Sequence, residues 1–152
     1  MRKGLLIIIA VFIGGYLFIS AFQNNDTNMK GTGEVTVRSQ IFAVEIADTV
    51  EKQAKGLSER DALPENRGMV FLFTEKASYP FWMKGMRFPL DIIWISDGKV
   101  VGVHKNLPPD DSAFPELYYP PGPIDTVFEI NAGIAEAIGI QEGDKVEIRI
   151  PR

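Results

Sequence analysis

Residues 90–105 read LDIIWISDGKVVGVHK, and this stretch decides the fold. Residues 90–95 are almost wholly apolar and β-branched, which is typical of a strand buried on both faces. Asp97-Gly98 predicts a two-residue type I′ turn, and the residues after it form a second strand-like run. Counting outward from this turn places Asp91 directly opposite His104. The sequence therefore predicts a β-hairpin that carries a polar cross-strand pair.

Further strands and two short helices are predicted around this hairpin. The other strand-like runs are residues 41–47, 69–73, 81–83, 127–131 and 145–150. Helices are predicted over 49–55, capped by Asp48 and stopped by Gly56, and over 132–138, capped by Asn131 and stopped by Gly139. The expected fold class is mainly β (α+β), a compact β-sandwich or small barrel with one or two short helices.

An apolar segment precedes this domain. Residues 4–22 contain no charge and follow Arg2 and Lys3. As a helix these nineteen residues rise about 28 Å, close to the ~30 Å hydrocarbon thickness of a bilayer. The positive flank predicts a cytoplasmic start, with the rest of the chain on the far side. The length favours a transmembrane anchor, although its apolar core is also within the range of a signal peptide.

The chain is therefore divided into three parts. Residues 1–22 are predicted to be the anchor or signal peptide, 23–33 a polar linker and 34–152 a single mainly-β domain. We expect the protein at the cell membrane with its domain outside the cytoplasm, or otherwise secreted or periplasmic. Its predicted membrane partner is the bilayer itself, through residues 4–22.

The composition excludes several classes of function. The chain has 16 basic and 20 acidic residues and a net charge of −4, so it should repel phosphate backbones and bind no nucleic acid. One histidine and no cysteine remove the usual zinc sites and any disulfide. No phosphate loop or dinucleotide fingerprint is present, and no cofactor or metal is expected.

The polar pair in the hairpin is one candidate site. A carboxylate of Asp91 beside His104 would have the shape of a base and its orienting acid. No Gly-x-Ser-x-Gly elbow is present to supply a nucleophile. The pair is therefore either a catalytic pair or a polar contact that satisfies itself at the rim of the sheet, and the second interpretation is favoured.

Arg60 is a second candidate, because a guanidinium can hold a carboxylate through two parallel hydrogen bonds. Its internal partner could be Asp91, Glu129 or Glu65, since an unpaired buried charge is costly. The alternative partner is an anionic ligand such as a peptide C-terminus or a uronic acid.

Aromatic residues are concentrated between residues 71 and 94, and most are expected in the core because a domain without disulfides needs their buried area. Trp82 is the exception, because Pro80 and Gly85 place it on irregular backbone where its ring can reach a cleft. Lys84, two residues on, is either a ligand contact or a solvated charge. The proline-rich residues 107–123 form either a stiff surface crossover or a lid.

A set of short motifs resembles a known family. These motifs are residues 56–60 (GLSER), 63–64 (LP), 68–69 (GM), 81–84 (FWMK), 89–92 (PLDI), 128–133 (FEINAG) and 143–144 (GD). In this order they resemble the domain of unknown function 192, with departures at Ser58 and Gly85, where the family often has Met and Asn. The resemblance implies a compact, mainly β domain that is often exported or membrane-attached, and it implies no activity.

The leading hypothesis is a non-enzymatic binding or accessory module for a small ligand, peptide or glycan. Its cleft is expected to be lined by Arg60, Trp82, Lys84, Asp91 and His104. One alternative is a hydrolase or lyase that uses His104 with Asp91. Another is a structural partner of an envelope protein.

Overall fold

The computed structural model describes residues 32–151. They form seven strands and two short helices: β1 Thr32–Val37, β2 Gln40–Ala47, α1 Val50–Lys55, β3 Arg67–Ala77, β4 Leu90–Ser96, β5 Lys99–Leu107, β6 Ile124–Asn131, α2 Ile134–Ala137 and β7 Val146–Arg149. The predicted mainly β class with two short helices is confirmed. The predicted membrane segment, residues 4–22, lies outside the described residues.

All seven strands belong to one sheet, in the order β5-β4-β6-β3-β2-β1-β7. Only β2 and β3 pair in parallel, and α1 lies between them in the chain. Backbone hydrogen bonds from Val100 N to Asp144 O and from Val146 N to Gly98 O, both 2.9 Å, join the start of β5 to the residues around the start of β7. The sheet is therefore a half-barrel whose two outer strands meet at one end, which corresponds to the barrel alternative.

The sheet buries a hydrophobic cluster on each face. The inner cluster receives residues from all seven strands and from α2, including Phe42 and Phe128, which pack edge to face. The outer cluster includes Leu57 and Leu63 from the segment after α1 and Met83 and Met86 from the segment after β3, and Trp94 is its largest fully buried side chain. In the inner cluster, Phe128 packs closely over Gly68 of β3. A Cβ at residue 68 would lie 2.5 Å from the ring of Phe128, so this contact requires glycine. With both faces covered, β4 and β6 are buried along nearly their whole length.

The hairpin turn is as predicted, but its register is not. Asp97 and Gly98 both have positive φ, and Ser96 pairs with Lys99, as a type I′ turn requires. The pairing of β4 with β5 then shifts by one residue between Ile95 and Trp94, and again between Ile92 and Leu90. As a result His104 lies opposite Ile92. The prediction that Asp91 faces His104 is wrong. An extra residue in one strand moves every later pair, and adjacent residues point to opposite faces.

Several boundaries also differ from those predicted. β1 was missed, and its first residues fall in the predicted linker 23–33; it joins β2 through the turn residues Arg38 and Ser39, which carry no glycine signal. The predicted strand 81–83 is only an isolated bridge between Phe81 and Tyr118. β3 extends to Ala77, beyond the predicted residue 73.

The two helices begin at other caps than those predicted. Thr49, not Asp48, is the N-cap of α1, and its hydroxyl accepts a hydrogen bond from the backbone N–H of Lys52 at 3.3 Å. The N-cap of α2 is Gly133 rather than Asn131, whose side-chain amide instead donates to the carbonyl of Leu63. Across residues 32–151, no helix is long and apolar enough to cross a bilayer.

Candidate functional site

A cleft of about 270 Å³ opens between α1, β3 and the crossover that follows Tyr79. The loop after α1 forms one wall, because Gly56 ends the helix at a positive φ and turns the chain into Leu57 and Ser58. The opposite wall is aromatic and includes Phe71 and Phe81, whose ring centroids lie 4.9 Å apart. The cleft is lined by residues 53–58, Phe71, Phe73, Tyr79, Pro80, Phe81, Trp82, Lys84, Met86 and Glu129.

Glu129 is the acidic group of this cleft. It lies in β6 between Met69 of β3 and Ile92 of β4, and only 5% of it is exposed. No hydrogen bond or ion pair joins its carboxyl to another residue of the range 32–151, and its oxygens are not fully enclosed. Burial raises the pKa of Glu129 to about 8, against the opposing charge of Arg60. At neutral pH the cleft therefore contains a mostly uncharged carboxylic acid, which can donate one hydrogen bond and accept others.

Arg60 lies near Glu129 without bonding to it. Both ends of its guanidinium bind the carboxylate of Glu45, with Nη2 donating to Oε2 at 2.9 Å and Nη1 to Oε1. This hydrogen bonding lowers the pKa of Glu45 and raises that of Arg60. An internal salt bridge was the favoured prediction, but the partner is Glu45 and none of the three acids proposed. Because Glu45, Met69 and Glu129 are paired in one row across β2, β3 and β6, the two acids lie about 10 Å apart.

Trp82 and Lys84 stand at the mouth of the cleft. Trp82 is 51% exposed, so part of its ring is open to a ligand. The Nζ of Lys84 lies 5.9 Å from the centre of that ring, within reach of a cation–π interaction. These two are the predicted site residues that the structure brings to the cleft; Arg60, Asp91 and His104 do not line it.

Asp91 is buried on the inner face and has a structural role. One carboxylate oxygen accepts from the backbone N–H of Asn106 and the other from that of Ala135, both at 2.8 Å. Asn106 has a positive φ at the irregular end of β5, and Ala135 lies in the first turn of α2, whose N-cap is a glycine. Asp91 therefore supplies the acceptors that the bulge and the helix start need.

His104 points to the other face, where its Nδ1 accepts the indole N–H of Trp94 at 2.7 Å. Its ring also packs against Tyr118, at 5.5 Å between centroids. Since Trp94 is fully buried, this hydrogen bond satisfies a donor that would otherwise lose its water. The Asp91–His104 pair on which the hydrolase alternative depended is not formed.

Within the described chain no histidine or cysteine lines the cleft, and the hydroxyl of Ser58 donates to the carbonyl of Lys55. Over the same residues, no group of three or more His, Cys, Asp or Glu is arranged to hold a metal ion. Glu129 was missed as a site residue. Its signal was an acid inside the apolar run Val127, Phe128 and Ile130, where a solvated strand would alternate.

Comparison with known proteins agrees with this fold. The sequence model of the domain of unknown function 192, described as an uncharacterized ACR, matches residues 33–148. The chain belongs to this family. Comparison of this DUF192 chain with curated proteins gives no match.

Two solved structures resemble the DUF192 domain. A protein of unknown function from Novosphingobium aromaticivorans DSM 12444 is 38% identical, with a TM-score of 0.69, and the match covers 76% of this chain and 83% of that one. A proposed transcription regulator from Sinorhizobium meliloti 1021 is 27% identical, with a TM-score of 0.68, over 82% of this chain and 97% of that one.

Proposed function

We propose that this DUF192 domain is a non-enzymatic module that binds a small ligand in the aromatic cleft. The observation that carries the proposal is the carboxyl of Glu129, which lines the cleft on a residue only 5% exposed and has no hydrogen-bond partner in the described chain. Among the described residues no fully buried side-chain oxygen or nitrogen lacks a partner, so the unpaired carboxyl of Glu129 must reach the open space of the cleft, where a ligand can bind it.

The surroundings of Glu129 support binding of a small molecule. The volume of about 270 Å³ lies just below the roughly 300 Å³ at which the usual range of ligand pockets begins, and the walls are mostly aromatic and aliphatic. The exposed ring of Trp82 offers a stacking surface at the mouth. A short peptide side chain or a sugar would meet the same surfaces.

A ligand screen by NMR tests the proposal. We expect ligands that shift the backbone signals of Gly56 and Leu57 in the wild-type chain, and at least a fivefold loss of affinity in Trp82→Ala. Phe114→Ala is the matched control, because Phe114 is 93% exposed and does not line the cleft. A screen without cleft ligands, or equal losses in the two variants, would refute the proposal.

We also propose that residues 4–22 hold the domain at the outer face of a membrane. Their length and lack of charge support a span, and Arg2 and Lys3 support a cytoplasmic start. Fractionation should recover the native chain in the membrane fraction after an alkaline wash, with the domain open to protease from the outside. Recovery of the intact chain in the cytosol would refute this placement.

A further inference from the structure

The buried part of the ligand must suit a carboxyl group that has no charged partner of its own. Glu129 is flanked in the sheet by Met69 and Ile92, which offer no hydrogen bond. The nearest guanidinium, Arg60, is already bound at both ends by Glu45. A ligand in the cleft can therefore supply the hydrogen-bonding complement of this carboxyl in place of water.

The charges around the cleft disfavour a cationic ligand. Lys55 and Lys84 line the cleft, and the positive charge of Arg60 acts on Glu129 from beside it. An ammonium or amidinium group would have to pass two like charges and then ionise a desolvated acid.

A carboxylate at the same depth is also disfavoured. It would be buried beside another carboxyl, and it offers acceptors only, so one oxygen of Glu129 would stay without a donor.

The protonated carboxyl presents an O–H donor and a C=O acceptor side by side. The complement of this edge is a group with an adjacent hydrogen-bond acceptor and donor. Primary amides, lactams and heterocycles with neighbouring acceptor and N–H atoms have such an edge. Among the rings that line the cleft, Trp82 is half exposed and offers a flat apolar face against which such a planar group can stack.

We infer that the cleft accepts a flat, uncharged group whose amide-type edge pairs with the carboxyl of Glu129. This inference rests on the proposed binding function and names the chemical class of its ligand. Any anionic or polar remainder of the ligand would lie at the mouth, where Lys55 and Lys84 can meet it.

Three probes of one shape and different charge test the inference: benzamide (neutral), benzamidine (cationic) and benzoate (anionic). The full chain in detergent micelles is titrated with each and followed by NMR at the Trp82 indole and the Gly56 amide. Benzamide should bind with a dissociation constant of about 1 mM, as expected for a ligand of this size. The two charged probes should bind at least about tenfold more weakly.

Variants of Glu129 separate hydrogen bonding from charge. Glu129→Gln keeps a donor and an acceptor of the same shape, so benzamide affinity should stay within about threefold. Glu129→Leu removes both and should lower it about tenfold or more. Glu34→Gln, on the exposed part of β1, is the matched control and should change nothing.

Other results would overturn the inference. Tighter binding of benzamidine, lost in Glu129→Gln, would indicate an ionised carboxylate and an amine ligand. Tighter binding of benzoate would indicate an anion site formed by the lysines. If none of the three probes binds, the inference fails, and the separate ligand screen with Trp82→Ala still decides whether the cleft binds another class.

Discussion

The free energy of unfolding of this domain should fall as the pH rises from about 5 to about 9, because Glu129 must ionise in a buried place. The pKa of its carboxyl rises from 4.5 to about 8 in the folded chain, with burial as the main cause. Between these two values the folded chain holds a proton that the unfolded chain has lost. Raising the pH therefore favours the unfolded chain, and the stability present below pH 4.5 is lost progressively up to about pH 8.

The size of the effect follows from the two pKa values. Each unit of difference is worth about 1.4 kcal/mol, and the cost grows from about 1 kcal/mol at pH 5 to about 5 kcal/mol at pH 9. The loss of about 4 kcal/mol is large beside the roughly 5–15 kcal/mol that holds a typical domain folded. Few single ionisable groups could produce a pH-dependent loss of stability of this size.

Urea unfolding at about pH 5, 7 and 9 measures this loss, with Glu129→Gln as the reference. Glutamine has the same shape and cannot ionise, and all other titrating groups are common to both chains. The variant should gain stability relative to wild type by about 4 kcal/mol between pH 5 and pH 9. A difference between the two chains that stays constant within about 1 kcal/mol over this range would refute the burial of an unpaired acid.

Three other substitutions test the roles of the remaining polar residues by the same urea unfolding. Asp91→Ala leaves two backbone N–H donors without their acceptor and should cost about 2–4 kcal/mol; a cost below about 1 kcal/mol would contradict its structural role. His104→Leu leaves the indole N–H of Trp94 unpaired and should cost about 1–3 kcal/mol with cleft binding unchanged, so lost binding would count against this assignment. Arg60→Gln removes the charge that holds down the pKa of Glu129, so the pH-dependent loss of stability should extend to higher pH, and a shift to lower pH would speak against this coupling.

Parts of the candidate site were predictable and parts were not. Trp82 lies between Pro80 and Gly85, and this local irregularity correctly indicated that its ring leaves the core. The assignment of Asp91 to the same cleft failed because a change of register by one residue moves a side chain to the opposite face of a sheet. The sequence contains no local signal for the bulges that cause it.

Glu129 shows more clearly what cannot be predicted from the sequence alone. Its position inside an apolar strand is visible in the sequence, and an acid there must be either paired or functional. Which of the two applies depends on Arg60, which is distant from Glu129 in the chain and is bound by Glu45. Only the pairing of β2, β3 and β6 places these residues in one row.

Local sequence patterns were sufficient for the mainly β class, the Asp97-Gly98 turn, the glycine end of α1 and the family. Each depends on the backbone preferences of neighbouring residues or on a short ordered motif. The strand order, the bulges, the closure of the half-barrel and the cleft depend on contacts between residues distant in sequence, whose energies no local pattern contains. The unpaired carboxyl of Glu129 belongs to this second group, because the absence of a partner is a property of the whole packed domain.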